Sequence, residues 1–240
     1  MTTPSRLLAL DLARTAALAG MILYHFVFDL ELFGHLMPGT AGTGGWFVLA
    51  RVVAGSFLAL AGFSLVLAQE RGIRWMPFAR RLAVIGAAAG TITLVTAFVM
   101  PDRFVHFGIL HAIWLSSLCG LAFLRLPAPV TALSGVAIIW AGIALAIPSL
   151  NGPWLWWLGL GSEWRRAIDY VPMFPWFGAF LVGMAAAQFA TRRGWAMALP
   201  MGLARRLAPF GWPGWHSLAI YLIHQPVLFG LIWGWGRLAG

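Results

Sequence analysis

Lysine is missing from this chain, and charge of any kind is scarce. Only 10% of its 240 residues are charged, against about 25% in a soluble domain. That shortage excludes an ordinary water-soluble fold. The single cysteine, Cys119, excludes an intrachain disulfide and says little about redox compartment. No phosphate-cradling Walker loop, no Cys/His metal cluster and no GxSxG turn occurs. No evident carboxylate pair for glycoside chemistry occurs either. Short alternating strands of the kind that build a barrel are absent. No internal repeat hints at an inverted-repeat transporter. Histidine is left as the best candidate for chemistry.

What is present is apolar: 61% of the residues are hydrophobic. Several apolar runs reach 17 residues or more, enough to cross ~30 Å of hydrocarbon. The expected fold is all-α, a polytopic transmembrane helical bundle of about seven spans in a single domain over residues 1–240. The spans fall at roughly 8–28, 47–69, 82–100, 107–124, 130–147, 173–190 and 216–236. MTTPSR is followed by a span without a small-residue cleavage site and reads as the start of a retained helix. All the basic residues are arginines, giving a formal net charge of +9. Their placement in short loops is explained by membrane orientation without invoking nucleic acid. Arg6, Arg71, Arg74, Arg80, Arg81, Arg125, Arg192, Arg193, Arg205 and Arg206 share one side. Arg103, Arg165, Arg166 and Arg237 share the other, offset by Asp102, Glu163 and Asp169. The bias predicts a cytoplasmic N-terminus. Two outer loops, 29–46 and 148–172, are long, and GPWLWWLGLG in the second reads as a helix lying at the membrane surface. The pairs Gly86/Gly90 and Gly230/Gly234 read as helix-packing sites.

The first span, LALDLARTAALAGMILYHFVFDL, carries Asp11, Arg14, His25 and Asp29. At ~100° per residue all four lie on one helix face. Intramembrane ionisable groups are expensive, so the stripe should face the protein interior or a wet cavity. Arg14 and His25 stand roughly 16 Å apart along the axis. A fixed cation and a titratable ring thus mark two depths. Asp29 is spaced to accept a hydrogen bond from the His25 ring and orient it as a base. The same groups also fit an interior Asp11–Arg14 salt bridge plus a snorkelling interfacial histidine. In HFGILHAIWLSS, His106 and His111 lie about 140° apart and do not form a metal pair. His111 fits either a packed structural role or a substrate contact. In HSLAIYLIHQP, Ser217, Tyr221 and His224 share a face, and Pro226 is expected to loosen the turn behind it. That face fits a helix–helix contact or a wall of the same cavity. Arg51 is spaced to pair with Asp29 or Glu31, and His35 sits in the outer loop as a second possible base.

Four stretches, RLLALDLARTAALAGMILYHFVFDLELFG, GSFLALAGFSLVLA, RFVHFGILHAIWLSSLCGLAFLRLP and HSLAIYLIHQPVLF, resemble in order the bacterial DUF1624 family, a relative of the catalytic domain of heparan-α-glucosaminide N-acetyltransferase. The spacing of Arg14 and His25 also resembles the first-helix motif of the acyltransferase-3 membrane proteins. The resemblance implies a transmembrane acyltransferase. It would take acyl-coenzyme A, with acetyl the expected acyl group, on the cytoplasmic side. The acceptor would be an amine or hydroxyl of a glycan-like molecule on the outer side. It implies His25 or His35 as the reactive histidine and Arg14 as a group serving the donor. Beside these, the expected site includes Asp29 behind the histidine, and Asp11, His111, Tyr221 and His224 as donor-binding groups. A bacterial-type inner membrane and a possible homo-oligomer complete that expectation, with no metal and no nucleic acid. The competing reading is a proton-coupled transporter or flippase that uses the same polar stripe as a relay.

Overall fold

A computed structural model describes residues 5–163, 167–194 and 199–239, with side chains omitted for 5–7 and 239. The side chain of Arg6 and the whole of Arg165 and Arg166 therefore lie outside the described residues. Every regular element among the described residues is helical. The longer helices are α1 (Ser5–Leu32), α2 (Gly44–Ala68), α3 (Trp75–Val99), α4 (Ile109–Gly120), α5 (Ala128–Ala144) and α6 (Met173–Arg192). Two short ones, α7 (Met201–Leu207) and α8 (Trp212–Trp215), precede α9 (Ser217–Ala239).

Among the described residues, five helices are long and apolar enough to cross a membrane: α1, α2, α3, α6 and α9. The runs expected to span at 107–124 and 130–147 form shorter apolar helices, Ile109–Phe123 and Ala128–Ala144. Prolines mark two of their limits. Pro127 stands at the N-cap of α5, and Pro148 opens the turn that follows it. The expected surface helix within 148–172 is not formed. Pro148–Leu150 and Pro153–Leu155 make single 3-10 turns instead, as two prolines so close in sequence would favour. The first helix runs four residues beyond the expected end at residue 28, so Asp29 and Glu31 are helical rather than part of the loop.

The chain divides into two compact units, Met1–Phe57 with Ala196–Gly240, and Leu58–Trp195. In the first unit, Leu18 and Met21 of α1 and Val53 of α2 form a buried cluster, with Leu49, Ile220 and Tyr221 packed against it. Apart from Leu32 in its last turn, the exposed positions of α1 are Ala13, Ala16, Ala19, Leu23 and Phe26. At ~100° per residue their centre lies roughly 145° away from that of Asp11, Arg14, His25 and Asp29. The polar stripe is the inward face of α1, as its sequence required.

In the second unit α6 is the most enclosed of the five long helices. Its Phe180, Leu181 and Met184 are fully buried, as are Leu58 and Leu65 of α2. Close approach depends on glycine here. A side chain at Gly183 would run into the backbone of Ala59, and one at Gly62 into that of Phe180. Gly135 and Gly178 bring α5 and α6 together in the same way. Of the glycine pairs singled out from sequence, only Gly86 packs closely, against Trp114; Gly90, Gly230 and Gly234 meet nothing within 4 Å.

Gly183→Val is expected to destabilise the fold by about 1–3 kcal/mol, the usual range for overpacking. Gly230→Val should leave the thermal midpoint unchanged. Thermal unfolding in detergent, followed by size-exclusion fluorescence, compares the two.

Candidate functional site

The C-terminal part of α1 and the middle of α9 bring four polar side chains together within the first unit. Asp29 is fully buried. Its Oδ1 accepts a hydrogen bond from the Gln225 side-chain amide Nε2 at 2.7 Å. The carbonyl end of the same amide, Oε1, lies 3.3 Å from His25 Nδ1. The expected direct bond between Asp29 and the His25 ring is therefore replaced by a bridge. Gln225 stands between them.

That bridge fixes a proton. A carboxylate only accepts hydrogen bonds, so Gln225 must turn its NH₂ toward Asp29 and its oxygen toward His25. An oxygen acceptor facing Nδ1 requires that Nδ1 carry the hydrogen. In neutral His25 the lone pair is then on Nε2. Nε2 makes no hydrogen bond among the described residues, and the ring is only half-buried.

His224 is the neighbour. Its ring stands perpendicular to that of His25, with centroids 4.9 Å apart. His224 Nδ1 donates to the Tyr221 carbonyl at 2.6 Å, which again leaves the lone pair on Nε2. That atom is buried and without a hydrogen-bond partner among the described residues, as is Asp29 Oδ2. Tyr221 lies against His224 at 5.7 Å between ring centroids, so the face expected to hold both does so. α9 continues through Pro226 without a break.

Arg14 and Asp11 occupy the N-terminal half of α1. Arg14 Nη1 donates to Asp11 Oδ1 at 2.7 Å. Residues 211–214 press on this turn. A side chain at Gly214 would strike the Asp11 backbone, and Gly214 N–H donates to Thr15 Oγ1 at 2.9 Å. The Thr15 hydroxyl is within reach of the Asp11 and Phe210 carbonyls, at 2.9 and 2.8 Å. Arg51 does not pair with Asp29 or Glu31. Its guanidinium sits 3.5 Å above the Phe47 ring, while Glu31 accepts the backbone N–H groups of Gly39 and Ala41 at 2.7 Å each. That contact shapes the loop after α1, where His35 is exposed.

His111 belongs to the second unit. Its Nδ1 accepts the Gly108 N–H at 3.2 Å, capping α4. Its Nε2 lies 3.2 Å from Thr93 Oγ1, whose own proton goes to the Val105 carbonyl. Both ring nitrogens are thus taken up locally. Asp169 Oδ2 adds a second cap by accepting Ile109 N–H at 2.9 Å. His106 stacks on Tyr170 with centroids 5.4 Å apart. The Tyr170 phenol donates to the Trp156 carbonyl at 2.6 Å. Burial pushes its pKa up, so it remains a neutral donor at working pH.

Gln225 carries no charge and was not among the residues singled out from sequence. Its place beside His224 and ahead of Pro226 was the only available signal. Among the described residues no group of His, Cys, Asp and Glu could hold a metal ion.

These features define a multi-helix membrane-type protein with an imidazole ring held from behind by an amide and a carboxylate. The family model described as heparan-alpha-glucosaminide N-acetyltransferase, catalytic, matches residues 6–226. The chain belongs to that family, which points to a membrane acetyltransferase. No curated protein and no solved structure matches it.

Selective ¹⁵N labelling of histidine should show a neutral His25 protonated on Nδ1. Gln225→Leu removes the acceptor that selects this tautomer, so the His25 signals should move toward the mixture seen for exposed rings. Identical spectra for both proteins would remove the bridge from the account.

Proposed function

We propose that the protein is a transmembrane acyltransferase in which His25 is the general base. It would take an acyl group, acetyl in the simplest case, from acyl-coenzyme A on the cytoplasmic side of a bacterial-type inner membrane. The acceptor would be an amine or hydroxyl of a glycan-like molecule on the outer side. The observation that carries this reading is the Asp29–Gln225–His25 chain, which leaves His25 Nε2 as an available lone pair.

The chemistry asks little more of the protein than a base and good positioning. A thioester is already activated. His25 Nε2 removes the proton from the acceptor N–H or O–H as that atom forms its bond to the thioester carbonyl carbon. The C–S bond then breaks, and the imidazolium returns its proton to the departing thiolate. While the proton resides on Nε2, His25 is a cation. Gln225 Oε1 and, through it, the Asp29 carboxylate stabilise that state. His224, with its Nδ1 proton committed to Tyr221, presents only a lone pair toward this neighbourhood and fits a donor- or acceptor-binding wall. Tyr221 and Arg14 are further candidates for contacts to the donor. The local bonding of His111 suits a structural role.

Purified protein in lipid nanodiscs should transfer acetyl from acetyl-coenzyme A to an amino-sugar acceptor. His25→Ala should lower kcat by roughly 10²–10⁴-fold while a non-hydrolysable coenzyme A analogue still binds. His35→Ala should retain transfer within a few-fold. The opposite ranking of the two variants would move the base to the loop, and equal full activity in both would sink the mechanism.

A further inference from the structure

The second unit holds a cavity that the His25 chemistry does not use. The C-terminal ends of α2 and α6 and the turn after α4 surround about 350 Å³, within the roughly 300–1,000 Å³ span of small-molecule sites. Gln188 of α6 lines it and is 4% exposed. Its Nε2 donates to the Phe123 carbonyl at 2.8 Å, which fixes the amide's orientation. Its Oε1 then has no hydrogen-bond partner among the described residues. A buried acceptor left this way costs free energy unless a ligand or water supplies a donor.

Arg125 and Arg192 line the same cavity, and both side chains are exposed. Neither has a carboxylate partner among the described residues. Two guanidinium forks favour a phosphoryl group, whose oxygens accept paired hydrogen bonds. The surrounding helix C-termini carry partial negative charge, and Glu70 is also at the wall. Both features disfavour a bare anion. They favour a ligand whose phosphate is accompanied by N–H donors. Val66, Ile73 and Leu121 supply apolar wall.

We propose that this cavity binds a phosphorylated ligand bearing an N–H donor, with the phosphate on Arg125 and Arg192 and the donor on Gln188 Oε1. Two sources carry that chemistry. One is the nucleotide end of an acyl-coenzyme A, and that source rests on the acyltransferase reading. The other is an amine-bearing phospholipid headgroup, which does not depend on it.

The test uses the full chain in phosphatidylcholine nanodiscs. Adenosine 3′,5′-bisphosphate is titrated as one probe, and phosphatidylethanolamine doped into the disc is followed by native mass spectrometry as the other. The variants are R125Q/R192Q and Q188M, with R193Q as the control, since Arg193 lies over the Phe189 ring. Size-exclusion profiles confirm that each folds. At least one probe should bind the unmodified chain. R125Q/R192Q should weaken it by about tenfold or more, Q188M by a few-fold, and R193Q not at all. Loss confined to the bisphosphate identifies the nucleotide source, and loss confined to phosphatidylethanolamine identifies the headgroup. Both support the cavity. Probe binding that is absent, unchanged in the variants, or equally reduced in R193Q overturns it. Acetyl transfer that persists while neither probe's affinity changes in R125Q/R192Q defeats the cavity proposal alone. Absent transfer with arginine-dependent headgroup binding defeats the acyltransferase reading alone.

Discussion

One carboxamide sets the hydrogen bonding around His25 and Asp29 in the first unit. Gln225 has a donor end and an acceptor end, and Asp29 dictates which way round it sits. The carboxylate is fully buried, in surroundings where an isolated anion would be costly. Its hydrogen bond to Gln225 answers part of that cost and also polarises the amide toward His25. A direct carboxylate–imidazole contact would orient the ring in much the same way. Inserting an amide keeps the orientation and softens the electrostatic pull on the ring. A lone pair on Nε2 of the neutral ring is the outcome.

The packing of α1 turns that arrangement inward. Its outward positions are alanine, leucine and phenylalanine, so lipid meets no polar group there. Its inward positions find partners on the same unit: Arg14 with Asp11, Asp29 with Gln225, His25 with Gln225 and the edge of His224. The glycines at 211 and 214 allow the chain before α9 to press against the Asp11 turn. The polar stripe is therefore two linked features on one helix: an ion pair that ties the helix to itself, and a hydrogen-bond chain that ties it to α9.

Much of this was legible in the sequence. Helical periodicity alone placed Asp11, Arg14, His25 and Asp29 on one face, because a lipid-facing charge is too costly to tolerate. It also placed Tyr221 and His224 together on α9. Other features lay beyond it. Gln225 is 196 residues from Asp29, and neutral amides leave no trace in charge or periodicity. The helices at 109–120 and 128–144 are apolar enough to read as full spans, but prolines and local turns shorten them. Tryptophan-rich sequence in 148–172 suggested a helix lying at the membrane surface, whereas Pro148 and Pro153 confine it to turns. The glycine pairs chosen by four-residue spacing were mostly open. The glycines that matter, 62, 135, 178 and 183, are identified by the helix they meet rather than by their spacing.

The most direct measurement is a double-mutant cycle on acetyl transfer with Asp29→Ala, Gln225→Leu and the combined variant. If Asp29 acts on His25 through Gln225, the combined variant loses no more rate than the worse single variant, because each change cuts the same chain. Rate losses that multiply would show two independent roles and contradict the bridge.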